Sequence, residues 1–205
     1  MFSLIQAAGW PIYLLLLASI IAVALIIERT LSLRATVIAP KGLLDKTIQE
    51  FRKTGVTNEL LNKLVKGPLL GRVLAAGLYN VRSSREVMKE SLEEAGRAVI
   101  VELERFLTTL GTIASISPLL GLFGTIVGMI EIFGSQGPTG SNPAQLAHGI
   151  SVALYNTAFG LIVAVPSMIA YRHFRRKVEQ ISVDMEQQAI KLVEIVHGER
   201  QGKTP

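Results

Sequence analysis

The polar side chains best placed to do chemistry in this chain stand inside long apolar runs. Thr125 and Thr157 bring hydroxyls, Ser151 and Asn156 lie close to Thr157 in sequence, and Glu131 and His148 can titrate. Hydroxyls at matched depth could hold water or meet a polar group, yet a membrane Thr often bonds a carbonyl of its own helix. Both roles are open for Thr125 and Thr157. A proton path through hydrocarbon normally uses a titratable side chain. Glu131 and His148 stand near the outer ends of their runs, so neither is expected at the centre. A proton channel built on this chain would therefore take its central acid from another chain.

Enzyme chemistry finds no footing. There is no phosphate-binding loop, no HExxH and no GxSxG elbow. His148 and Ser151 are one turn apart, but no acid or second base accompanies them. The three His are scattered, and with no Cys there is no disulfide, thiolate metal site or cysteine nucleophile. Neither a metal nor a cofactor is expected.

The elements that carry these residues follow from composition. Of 205 residues 49% are apolar and 18% charged, with a mean hydropathy of +0.42. Soluble chains average about 25% charged, so this chain lacks solvating surface, and its apolar content excludes disorder. Three runs, Ala7 to Ile27, Phe106 to Ile130 and Leu146 to Tyr171, contain no Lys, Arg or Asp. Each reaches the roughly 20 residues that a bilayer requires.

All 21 Lys and Arg fall within residues 29–105 and 172–205. By the positive-inside rule both segments are cytoplasmic. The sequence thus predicts an all-α integral membrane protein with an outside N-terminus over 1–6 and a first transmembrane helix over 7–28. A cytoplasmic helical loop over 29–105 follows, then a second span over 106–133 and an outside loop over 134–145. A third span over 146–171 and a cytoplasmic C-terminal helix over 172–205 complete it. Glu28 and Arg29 come after the first run rather than before it, unlike a cleavable signal peptide. Trp10 and Tyr13 suit an outer aromatic belt.

Spans two and three are expected to extend into a cytoplasmic helical bundle. Ser83-x-x-Glu86 fits a capping box. Met88, Leu92, Ala95, Val99, Leu103 and Phe106 then trace one apolar line, predicting a single helix from about Ser84 through the second span. Val178, Ile181, Met185, Ala189, Leu192 and Val196 prolong the third span likewise. These faces need each other or a neighbouring subunit. Between them, Leu60, Leu61, Leu64 and Val65 make a short face, with Gly55 and Gly67–Pro68 as breakers. Nine acids from Asp45 to Glu104 interleave with the basic residues, which argues against nucleic acid. The basic excess fits contact with anionic lipids.

Gly121, Gly124 and Gly128 in span two and Gly160 in span three are spaced for close helix approach. They could serve packing within a bundle or line a lumen. Pro118 and Pro166 each remove a helical hydrogen bond and can kink their helices.

The stretch IASISPLLGLFGTIVGMI, Ile113 to Ile130, strongly resembles the second transmembrane helix of the MotA/TolQ/ExbB proton-channel family. GISVALYNTAFGLIVAVPSMIAY, Gly149 to Tyr171, resembles its third, and three spans point to the ExbB/TolQ branch. The resemblance implies an inner-membrane homopentamer, N-terminus periplasmic and C-terminus cytoplasmic, whose second and third helices line a pore. It implies an ExbD/TolR-like single-span partner supplying a membrane Asp, and a TonB-like protein to which a molecular motor delivers work from protons. Thr125 and Thr157 match the threonines that face that Asp, and Ser151 and Asn156 are polar neighbours. Val152 stands where the family usually has Glu. A TolQ-like subunit of the Tol-Pal system and a non-conducting membrane scaffold are the alternatives.

Overall fold

Pro11 and Pro143 each begin a helix, at the position where a missing N–H costs nothing. This computed structural model describes residues 9–134 and 143–198. In them lie α1 (Pro11–Ser32), α2 (Ala35–Ile38), α3 (Leu43–Thr54), α4 (Asn58–Val65), α5 (Leu69–Tyr79), α6 (Arg85–Glu104), α7 (Leu107–Gly134) and α8 (Pro143–Val196). No strand occurs among the described residues. The expected outside terminus over 1–6 and most of the 134–145 loop lie outside them.

The helices fall into two compact units, residues 1–29 with 106–173 and residues 30–105 with 174–205. In the first, α1, α7 and the front of α8 are long and apolar enough to cross a membrane. Along α1, Ile12, Leu15, Ala22 and Arg29 are buried, while Leu17, Ile20, Val23 and Ile27 are more than half exposed. Leu119, Ile126, Ile162 and Ile169 are at least half exposed on α7 and α8. A protein in water rarely shows apolar patches of that extent. Hydrocarbon is the solvent that suits them.

The second unit is built around α5, whose Leu70, Leu74 and Leu78 are wholly buried. Met88, Leu92, Val99 and Leu103 of α6 are buried, as are Val178, Ile181, Met185 and Leu192 of α8. At Gly77 the three helices meet: a Cβ there would stand 2.8 Å from Leu92 Cδ2 and 3.3 Å from Leu192 Cδ2. Arg72 Nη1 reaches Glu102 at 2.8 Å, and Asn80 Nδ2 donates to Ser91 Oγ at 2.7 Å, so polar bonds also join α5 to α6. The line of buried α8 residues continues the helix that begins at Pro143, a single element of 54 residues.

Two local expectations are corrected. The helix predicted to run unbroken from Ser84 through the second span is interrupted at Arg105 and Phe106. Arg105 is extended (φ −49°, ψ 136°) and Phe106 is left-handed at φ 64°. Such a backbone costs a residue with a side chain about 1–2 kcal/mol, so something outside the local sequence enforces it. The cap is Ser84 rather than Ser83. The Ser84 hydroxyl accepts from the Val87 N–H at 3.3 Å, which puts Glu86 one position too early for the reciprocal arm of a capping box.

Glu86 still benefits from its place in the first turn. Its carboxyl lies below the usual carboxylate range, held there by its own backbone N–H and then by the Ser84 hydroxyl. A depressed folded value contributes stability above the unfolded value and loses it as pH falls through the folded one. In Ser84→Ala the Glu86 carboxyl should therefore titrate closer to an ordinary glutamate, as followed by carbon NMR. An unchanged titration would contradict the Ser84 contribution.

The packing makes a second prediction. Leu78→Ala should cost about 2–5 kcal/mol, the range for a buried Leu, and lower the melting temperature of the purified chain. Val101, which is 71% exposed, should tolerate Ala with a change within about 0.5 kcal/mol.

Candidate functional site

Small residues decide how α7 and α8 meet. A Cβ on Gly121 would stand 2.7 Å from the Asn156 carbonyl oxygen and 3.0 Å from Thr157 Cα. One on Gly160 would stand 2.6 Å from the Ser117 oxygen, and one on Gly128 would meet Ala153 Cβ at 3.1 Å. A Cβ on Gly124 would stand 2.7 Å from the Asn156 side chain, and one on Gly149 would stand 2.7 Å from that of Ile132. Residue numbers fall along α7 as they rise along α8, so the helices are antiparallel. The contacts recur at steps of three and four on both, the spacing of one helix face. At Gly111, further along the same pair, an added Cβ would stand 3.1 Å from the Tyr171 ring.

That register fixes where the candidate side chains lie. Thr125 follows Gly124 and Thr157 follows Asn156, so both sit at the same level of the seam. Each is rotated one residue beyond a seam position, and on antiparallel helices equal rotation brings both to the same flank. Both are half-buried. Thr125 Oγ1 donates to the Leu122 carbonyl at 2.7 Å. Ser115, Ser117, Ser151 and Ser167 likewise donate to carbonyls four residues back, at 2.7 to 2.9 Å. Thr157 shows no such bond to its own helix among the described residues.

The other candidates are placed apart from this pair. Asn156 is wholly buried within the seam against Gly124, behind the threonines. Ser151 is exposed on the side of α8 turned away from α7. Glu131 and His148 are both exposed, near the end of α7 and the start of α8. Val152 is half-buried. Neither α7 nor α8 breaks at its proline: Pro118 and Pro166 lie inside continuous helix. Beside each stands a buried Ser, 117 or 167, whose hydroxyl bonds the carbonyl of residue 113 or 163.

Sequence reading passed over one cluster. Arg29 is 6% exposed, pairs with Glu28 (Nη2 to Oε1 2.6 Å, and Nε to Oε2), and lies with its guanidinium carbon 5.5 Å from the centre of the Phe106 ring. The only sequence signal was an adjacent acid and base at the end of an apolar run. Trp10 packs edge-on against Phe123, ring centres 5.8 Å apart, joining α1 to α7.

The arrangement defines a helical membrane protein with a glycine-lined antiparallel pair and a charged helical unit. The chain belongs to the MotA/TolQ/ExbB proton channel family, whose model matches residues 57–187. It is similar to the biopolymer transport protein exbB1 of Vibrio cholerae, 33% identical over 78% of this chain and 71% of that one. It is 34% identical to the biopolymer transport protein ExbB of Aquifex aeolicus over 69% of this chain and 92% of the relative. The Tol-Pal system protein TolQ of Haemophilus influenzae is 36% identical over 52% of this chain and 47% of its own. The family and the three long apolar helices together make this a multi-pass protein of the inner membrane.

The seam yields a direct prediction. Gly160→Ala places a methyl against backbone, which cannot swing aside as a side chain can, so it should destabilise the α7–α8 pair and lower the melting temperature in detergent. Gly96 of α6 has nothing within 4 Å; Gly96→Ala should be neutral or stabilise by about 0.4–1 kcal/mol.

Proposed function

We propose that this chain is the channel subunit of a proton-driven motor that energises TonB-dependent transport across the outer membrane. Thr125 and Thr157 face the acid of a partner chain. The observation that carries the reading is the threonine pair itself. It stands level on one flank of α7 and α8, in helices without Lys, Arg or Asp through their apolar length. A hydroxyl can orient water and accept or donate a hydrogen bond, but it does not hold a proton as an acid does. The carrier is then an Asp on a single-span, ExbD/TolR-like partner, seated where both hydroxyls reach it.

On this reading the chain assembles as a homopentamer around that partner, with its N-terminus periplasmic and its C-terminus cytoplasmic. The unit built on α5 then lies in the cytoplasm, with anionic lipid heads around its basic residues. Ser151 and Asn156 serve differently: Asn156 fixes the seam behind the pair, and Ser151 faces whatever lies beyond α8. Val152 stands where the family resemblance implies a Glu, so on this reading proton transfer rests on the partner Asp with hydroxyls and water. Each proton crossing 100 mV supplies about 2.3 kcal/mol. Similarity to TolQ supports the Tol-Pal envelope system as the second reading, with the same site and a different recipient of the work.

Proton flux in proteoliposomes tests the reading. The chain reconstituted with its single-span partner should conduct, and an Asp→Asn partner should abolish flux. Thr157→Val should lower flux several-fold while the complex still purifies intact. Conduction by the chain alone, or flux indifferent to the partner Asp, would overturn it and leave a non-conducting scaffold. Growth on chelated iron, against detergent sensitivity of the envelope, separates the Ton from the Tol assignment.

A further inference from the structure

With Trp10 at the level of one interface, α1 reaches beyond the hydrocarbon at its other end. Its 22 residues rise about 33 Å in all, against roughly 30 Å of acyl core, so Ser32 emerges among the headgroups. The exposed apolar face emerges with it. Leu17, Ile20, Val23, Ile27 and Leu31, at steps of three and four, are each more than half exposed and share one side of the helix. That line runs past the Glu28–Arg29 pair instead of stopping at the charges.

The segment that follows suits the same level. Leu33 and Ile38 are buried, and the four residues between them, Arg34 to Val37, are all exposed. Part of its backbone is bonded locally. The Ile38 and Ala39 N–H groups donate to the Arg34 and Ala35 carbonyls at 3.1 and 2.8 Å. The Leu43 N–H closes a turn on the Pro40 carbonyl at 3.2 Å, with Gly42 left-handed at φ 81°. Arg34 and Lys41 flank Val37 in the sequence, and all three are exposed. From Thr30 to Leu44 there is no acid, whereas nine acids follow from Asp45 to Glu104. Neither Arg34 nor Lys41 has a carboxylate partner among the described residues. Exposed apolar groups beside unopposed cations, at the end of a membrane helix, fit acyl chains under phosphates.

We propose that residues 31–41 are an interfacial anchor for anionic phospholipid. Leu31 and Val37 enter the acyl boundary, and Arg34 and Lys41 hold headgroup phosphates. The anchor narrows the lipid contact of the α5-built unit to one segment, where the charge is of a single sign. It rests on α1 crossing the membrane and is independent of what the channel conducts.

The chain has no Cys, so a nitroxide on one introduced Cys reports its own surroundings. Labels are placed in turn at Leu17→Cys, Val37→Cys and Glu90→Cys of the full chain, in nanodiscs of phosphatidylcholine with phosphatidylglycerol. Power saturation then reads access of dissolved oxygen and of a neutral nickel chelate. The label at 17 should favour oxygen, and the label at 90, exposed on α6, should favour nickel. The label at 37 should also favour oxygen, at a shallower depth. Arg34→Gln with Lys41→Gln, or omission of phosphatidylglycerol, should raise its nickel access several-fold and leave the other two labels unchanged. A label at 37 that behaves like the one at 90, while position 17 reads lipid, overturns the anchor and leaves the span intact. Protection from both reagents means cover by protein, such as a neighbouring copy, and overturns it too. So does nickel access at 37 that is indifferent to both the charges and the phosphatidylglycerol. Nickel access at 17 would overturn the membrane placement of α1 and the anchor with it.

Discussion

The close approach of two backbones at Gly121 and Gly160 is the constraint on which the membrane-spanning part depends. In hydrocarbon, apolar side chains gain little by leaving lipid for protein, so helices associate through dispersion and short-range contact. Dispersion falls steeply with separation. A Cβ at either glycine would lie under 3 Å from a carbonyl oxygen of the opposite helix, and backbone cannot rotate out of the way. Only glycine permits this crossing. Ser117, Ala153 and Asn156 then fit as the next larger groups along the seam, each buried to within 3%.

The crossing also determines what the polar groups can do. Hydroxyls in a dry helix pair must find acceptors, since an unmade hydrogen bond in an apolar setting costs far more than one in water. Ser117 and Ser167 satisfy this by bonding back along their own helices. They sit next to Pro118 and Pro166, where helical hydrogen bonding is already interrupted. These hydroxyls are thereby satisfied within their own helices and contribute no outward polarity. Thr125 bonds back as well, but it is half-buried on the flank rather than locked in the seam. A partial bond of that kind can be exchanged for a partner's polar group without leaving a buried orphan. Thr157 beside it makes the flank polar at one level only.

Much of this was legible in the sequence because periodicity and charge exclusion are strong signals. The absence of Lys, Arg and Asp over three long runs marks α1, α7 and α8. The buried line Met88, Leu92, Val99, Leu103 follows from spacing alone. What escaped was tertiary in origin. Phe106 completes the apolar spacing of α6 but stands past the end of that helix at a left-handed φ of 64°, with its ring near the guanidinium of Arg29, 77 positions earlier; no local pattern encodes such a contact. The cap is Ser84 rather than Ser83; two adjacent serines offer the same chemistry, and the local pattern does not choose between them. Asn156 looked like one more polar residue of a lumen, whereas the seam runs directly over it. The step of one residue that separates Asn156 from Thr157 turns a side chain by about 100°, and only the register of the opposite helix says which of them faces the flank.

The two units solve different solvation problems with one continuous α8. In the half that includes Gly160, small residues bring helices together where no hydrophobic force acts. In the half that includes Leu192, ordinary burial of Leu, Met and Val against α5 supplies the stability, at roughly 1.5–3 kcal/mol per large side chain. Glycine appears at the meeting point in both, yet for different reasons. At Gly77 a methyl would press on the movable ends of Leu92 and Leu192, and the neighbours could adjust. At Gly160 it would press on main chain, and they could not. Sequence change should therefore be tolerated more readily around Gly77 than around Gly160. On the proposed reading this is also where it must be resisted most, because a shift along the seam would carry Thr125 and Thr157 out of level. A partner acid could then reach one hydroxyl or the other, but not both at once.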